Sequence, residues 1–152
     1  MSYFGMKDYY SSSSYFKSFV EQFPFGTHAE DANFMAAFSD YKLAPRPELD
    51  QDNTRSAIEG FNIFLTRFPN SSRVEEARKY IKELEETLVE KSYLSARLYY
   101  DRKEYKASVV ALNNSLKEYA NTKYREEMMF LKLNSKTGES AFLALSRTKS
   151  RR

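Results

Sequence analysis

The feature that most constrains this chain is a threefold repeat with prolines at two of its three junctions. Counting back from Pro24, Phe23 lies at minus one, Val20 and Phe19 at minus four and five, Phe16 at minus eight and Ser12 at minus twelve. The same offsets from Pro69 give Phe68, Leu65 and Phe64, Phe61 and Ala57. A third copy, with Ala120 in the proline's place, gives Tyr119, Leu116 and Ser115, Leu112 and Ser108. Five residues beyond each origin stand Ala29-Glu30-Asp31-Ala32, Val74-Glu75-Glu76-Ala77 and Arg125-Glu126-Glu127-Met128. The copies are 45 and 51 residues apart, a period that belongs to arrays of helical units.

Offsets of three and four put the apolar residues of each backward segment on one helical stripe, Phe16, Phe19, Val20 and Phe23 in the first copy. Asp8 and Asn53 are read as N-caps, with Glu104 a poorer one. Pro24 and Pro69 end their helices, because the residue before a proline avoids the α region. The run Ser11 to Ser14 keeps helical phase with the aromatics on both sides and is placed on the first helix. The forward segments read as helices too. His28 to Lys42 carries small residues at Ala29, Ala32, Ala36 and Ser39, with Met35 sharing that side, and Ser72 to Lys103 is one long helix free of Gly and Pro. Acidic residues in their first turns favour the positive end of the helix dipole. Leu43 to Asp52, with Pro45 and Pro47, is the one inserted loop.

Composition removes most chemistry from consideration. The 152 residues suit one domain, and no apolar run approaches the length of a membrane-spanning helix. There is no cysteine, which excludes disulfides, thiolate metal sites and cysteine nucleophiles. His28 is the single histidine and reads as a surface or capping residue, and no two of the four glycines are close enough to cradle a phosphate. Glu75-Glu76 and Glu126-Glu127 are helix-start acids rather than metal ligands, and Met128 and Met129 are packing residues. No catalytic residue, metal or cofactor is expected, so the chain is not read as an enzyme.

The expected fold is all-α, a solenoid of antiparallel helix pairs, since no pair can bury its apolar face alone. The small residue at minus twelve, the large one at minus eight and the proline occupy the positions used by tetratricopeptide repeats. Such a fold binds rather than reacts.

Longer stretches carry a narrower resemblance. Phe23-Pro24-Phe25-Gly26-Thr27-His28-Ala29-Glu30, Leu49-Asp50-Gln51-Asp52 leading into Ala57-Ile58-Glu59, and Phe68-Pro69-Asn70-Ser71-Ser72 resemble BamD-type lipoproteins. These are the tetratricopeptide components of the machinery that assembles outer-membrane β-barrels. Glu90-Lys91-Ser92-Tyr93, Ala96-Arg97-Leu98-Tyr99-Tyr100, Tyr105-Lys106-Ala107-Ser108 and Asn121-Thr122-Lys123-Tyr124-Arg125-Glu126-Glu127 are similar to the same family. The loop Pro45-Arg46-Pro47 looks like the form found in Bacteroidota. The resemblance spans about Tyr3 to Ser135. It implies a non-enzymatic scaffold at the periplasmic face of the outer membrane. Its partners would be the periplasmic domains of a BamA-like barrel-forming subunit and unfolded barrel clients, with no nucleic acid.

The family is anchored by a lipid on an N-terminal cysteine that this sequence lacks, and Tyr3 and Phe4 look like the end of a helix whose start is missing. The expectation is therefore a soluble fragment. Residues 1–135 would form the repeat domain, with its first repeat incomplete, and residues 136–152 a basic tail. From Leu131 onward, Lys132, Lys136, Arg147, Lys149, Arg151 and Arg152 stand against Glu139 alone, a net +5 that leaves −2 for the other 130 residues.

In such repeats the first helix of each pair lines the groove. The candidate partner-binding residues are Asp31, Phe34, Phe38 and Tyr41 on one pair and Tyr93, Arg97 and Tyr100 on the next. Tyr and Arg are enriched at binding hot spots, and an aromatic groove with an arginine suits an extended, aromatic-rich peptide. Phe34 and Phe38 read more readily as core, whereas Tyr41, Tyr93 and Tyr100 suit core and surface alike, since a phenol tolerates half-exposure. Two other readings stay open, a generic tetratricopeptide adaptor of the cell envelope and an RNA- or lipid-binding protein working through the basic tail. Tyr3, Phe4 and the Met128 to Leu133 face are also expected to promote self-association.

Overall fold

The three junctions have one geometry. In the computed structural model, which describes residues 3–150 and the side chains of residues 8–147, the helices before them end at Gln22, Arg67 and Glu118, each two residues before the repeat origin. The helices after them begin at Ala29, Val74 and Arg125, each five residues past it. The helices are α1 (Tyr3–Gln22), α2 (Ala29–Leu43), α3 (Asp52–Arg67), α4 (Val74–Asp101), α5 (Tyr105–Glu118) and α6 (Arg125–Ser150). Ala120 replaces the proline without changing the turn. Tyr119 has φ −118° and ψ 60°, against −127° and 61° for Phe68, and each donates its backbone N–H to the carbonyl four residues back.

Residues Met1–Leu88 and Val89–Arg152 form two units, each with its own core, and α4 contributes to both. In the first unit, Phe34 meets Phe64 and the Asp40 carboxylate accepts from Ser56, so numbers rise along α2 as they fall along α3 and the two are antiparallel. Gly60 lies against Ala37 on the same pairing, where an added Cβ would stand 2.9 Å from the alanine's own. Phe61 and Phe64 are fully buried with Ala57, Ala77 and Leu84. The alanines of α2 admit α1 on one side and α3 on the other. Hence α2 is buried well beyond its expected side: Ala29, Ala32, Ala36 and Ser39 are covered, but so are Asn33, Phe34 and Ala37.

A polar cluster ties α1, α2 and α3 together. The Asp40 carboxylate, 3% exposed, accepts from Ser13 at 2.6 Å and Ser56 at 2.6 Å, and lies 2.8 Å from the Lys17 ammonium. In the loop before α3, the buried Gln51 amide donates to the Arg46 and Leu49 carbonyls, both at 2.9 Å, and accepts from Thr54 at 2.7 Å.

The second unit repeats the plan. Leu112 and Met128 are fully buried with Ala96 and Val89. Ser108 donates to the Ala96 carbonyl at 3.1 Å and accepts from Ser135 at 3.0 Å, small residues that let α4, α5 and α6 approach closely. The fold is all-α, of tetratricopeptide type, built from antiparallel helix pairs.

Several expectations are corrected. Asp8 lies inside α1, and Asn53 lies inside α3, whose N-cap is Gln51. Tyr3 and Phe4 open α1 rather than end a helix, and their side chains fall outside the described residues. Phe23 is 53% exposed and leaves the stripe it was assigned to. Met128 packs, whereas Met129 is 52% exposed. Residues 136–150, read as a tail, continue α6 as helix, with Gly138 against the Tyr105 ring.

Candidate functional site

On the first unit, α2 sets its aromatic residues at steps of three and four along one side, and α4 adds a fourth ring. Phe34 is 4% exposed and packs edge-on to Phe61 and Phe64 at 5.6 and 5.4 Å, so it forms the floor rather than the contact surface. Above it, Phe38 stacks on Phe34 at 6.2 Å and on Tyr41 at 6.0 Å. Tyr80 closes the ladder, 4.4 Å from Tyr41 and 5.7 Å from Phe38. Phe38, Tyr41 and Tyr80 are half-buried.

Charged groups frame the rings. The Arg73 guanidinium lies 4.7 Å over the Phe34 ring and 3.7 Å from the exposed Asp31 carboxylate. The Lys42 ammonium lies 5.3 Å over Phe38 and 5.7 Å over Tyr41, a cation held by ring faces. The Tyr41 hydroxyl donates to Glu83 at 2.7 Å and the Tyr80 hydroxyl to Glu76 at 2.9 Å. Burial first, then the Glu83 carboxylate, pushes the Tyr41 phenol up to about 12. Tyr80 is raised in the same way, by burial and then by Glu76. Two phenols, the carboxylates they donate to and two cations thus stand together around the rings.

On the second unit, Tyr93 stacks on Tyr124 at 5.6 Å and Tyr100 meets Tyr105 edge-on at 5.6 Å. Both pack beside Ala96, Leu112 and Met128. Arg97 is exposed. The Tyr124 phenol is raised by burial and then by Glu90.

The candidate residues of the first unit are therefore brought into one ladder, apart from Asp31, which touches it through Arg73. Those of the second unit are a tyrosine pair at each end with Arg97 on the surface. Sequence reasoning missed Tyr80, Arg73, Lys42 and Glu83. The signal for Tyr80 was present, since it stands three residues after Ala77 and four before Leu84 on the buried side of α4. Among the described residues, no group of three or more His, Asp or Glu is arranged to hold a metal ion.

An all-α chain built from antiparallel helix pairs in repeat belongs to the class of helical-repeat proteins. The sequence model of the outer membrane lipoprotein family YfiO matches residues 1–147, and the chain belongs to that family. No individual curated protein matches it significantly. Among the described residues, no helix is long and apolar enough to cross a membrane.

Proposed function

We propose that the chain is a non-enzymatic scaffold of outer-membrane β-barrel assembly, of the BamD type, working at the periplasmic face of the outer membrane. Its ladder on α2 and α4 holds an extended, aromatic-rich segment of an unfolded barrel client, or a periplasmic domain of a BamA-like barrel-forming subunit. The observation that carries this reading is the half-buried Phe38–Tyr41–Tyr80 stack in a chain that belongs to an outer membrane lipoprotein family. An incoming aromatic side chain extends a stack already formed, so little side-chain entropy is lost on binding. Lys42 and Arg73 stand where a peptide carboxylate gains charge-assisted hydrogen bonds.

Calorimetry at physiological salt tests it, with the C-terminal strand peptide of an outer-membrane barrel protein and, separately, the periplasmic domains of the barrel-forming subunit. Saturable binding of at least one is expected. Tyr41→Ala should weaken it roughly thirtyfold, about 2 kcal/mol, as for a hot-spot aromatic. Arg97→Ala and Tyr93→Ala on the second unit report whether the other candidate residues take part. Binding of neither ligand by a helical sample, or binding indifferent to Tyr41, Phe38 and Tyr80, would remove the reading.

A further inference from the structure

The second unit leaves open a face that the first unit covers with a helix. Nine, ten and thirteen residues past the repeat origin, α2 carries Asn33, Phe34 and Ala37, which are 7%, 4% and 1% exposed. Phe34 and Ala37 are covered by α3, through Phe61, Phe64 and Gly60. The same positions of α6 are Met129, Phe130 and Leu133, and they are 52%, 67% and 62% exposed. With Leu116 of α5 they line an apolar groove of about 750 Å³.

The rim of this groove has one sign. Lys117 on α5 and Lys132 and Lys136 on α6 line it together with Arg125, and no carboxylate does. Arg125 donates to the Ala120 carbonyl at 3.0 Å. The three lysines make no hydrogen bond or ion pair among the described residues. Charge over the chain follows the same division. Residues 89–152 hold 14 basic against 7 acidic side chains, net +7, while residues 1–88 hold 10 against 14, net −4.

We propose that this α5–α6 face docks an amphipathic helix of a partner protein that carries carboxylates beside its apolar stripe. The helix follows from the repeat, because α3 shows what covers these positions when they are covered. The carboxylates follow from the rim, where lysines left in water gain little until an opposite charge is brought into a partly desolvated groove. A second copy docking the same face symmetrically would set Lys117, Lys132 and Lys136 against themselves, which like-charge repulsion opposes. The proposal is independent of the aromatic ladder, which lies in the other unit.

The test uses the full chain and a fluorescein-labelled helical peptide of about four turns, with leucines at i, i+3, i+4 and i+7 and glutamates on both flanks of the stripe. Anisotropy should show saturable binding, weakened about tenfold or more by Lys132→Glu with Lys136→Glu and by Leu133→Asp, and weakened by added salt. Leu133 and Lys136 are exposed and Lys132 is partly so, so circular dichroism of these variants should match the parent chain. Tyr41→Ala should leave this binding unchanged. No binding of the peptide, equal binding of its lysine-flanked or phase-scrambled versions, or indifference to the variants would overturn the proposal. So would a stronger, Leu133-dependent association with phosphatidylglycerol vesicles, or a dimer in sedimentation that Leu133→Asp dissolves.

Discussion

Tyr41 shows how one side chain serves both core and surface. Its ring rests on Phe38 and Tyr80 while its hydroxyl donates to Glu83. Both burial and the neighbouring carboxylate disfavour the phenolate, and the folded chain holds the phenol at about 12 against an ordinary 10.0. A raised folded pKa means that the folded state keeps its proton longer than the unfolded one. The resulting stability is complete below about 10 and lost as pH rises through about 12. Titration of phenolate absorbance should therefore show a late-ionising tyrosine that disappears in Tyr41→Phe. Glu83→Gln should bring it partway down, since burial, the larger cause, remains. An unchanged high-pH end of the titration in Tyr41→Phe would show that the phenol ionises normally. Residue identities announced this ladder better than they announced Asp40. Phe34, Phe38 and Tyr41 share one helical face, which periodicity reports. Asp40 is buried because Ser13, Ser56 and Lys17 converge on it from α1 and α3, and no local pattern encodes a pairing between segments. Gln51 was missed for a similar reason, being fixed by two carbonyls of an irregular loop.

At the scale of the element, helix ends were legible where sterics alone decide them and not where hydrogen bonds do. The stops at Gln22 and Arg67 follow from Pro24 and Pro69, and Glu118 follows from repeat phase without a proline. Asp8 and Asn53 have the composition of caps, but capping needs a side-chain oxygen placed on a free N–H, and α1 and α3 begin before them. The end of α4 shows a local cost. Glu104 N–H donates to the Tyr99 carbonyl and Lys103 N–H to the Tyr100 carbonyl, both at 2.9 Å, the paired bonds of a Schellman turn. Its left-handed position, φ 61°, is held by Lys103 where glycine is favoured. A β-carbon there costs roughly 1–2 kcal/mol, partly offset by the greater unfolded freedom of glycine. Lys103→Gly should thus stabilise the chain by about 0.5–1 kcal/mol in urea unfolding. A neutral or destabilising result would mean that the lysine side chain contributes more than its backbone strain takes away.

For the whole molecule, the repeat foretold the helices but not how the chain divides. Periodicity treats the long segment after Pro69 as one helix, which it is, yet its residues feed two cores. Val74, Ala77, Ile81 and Leu84 share the stripe that continues to Ala96, so no break in pattern marks the change at Leu88. Charge marks it better, with the cationic excess confined to Val89–Arg152. Repeat proteins gain stability from each unit and its neighbours, and local opening follows such units. Phe61→Ala, which empties the first core, should cost about 3–5 kcal/mol, and Leu112→Ala about 2–5 kcal/mol in the second. Amide exchange would resolve the two. Phe61→Ala should accelerate α2, α3 and residues 74–88 roughly a hundredfold or more, leaving α5 and α6 close to their original rates. Leu112→Ala should do the reverse, accelerating residues 89–101 together with α5 and α6. Because α4 belongs to both cores, the residue at which its exchange changes allegiance locates the boundary directly. A uniform acceleration along the chain in both variants would instead make the two cores one cooperative body, and binding at one unit would then be felt as stability at the other.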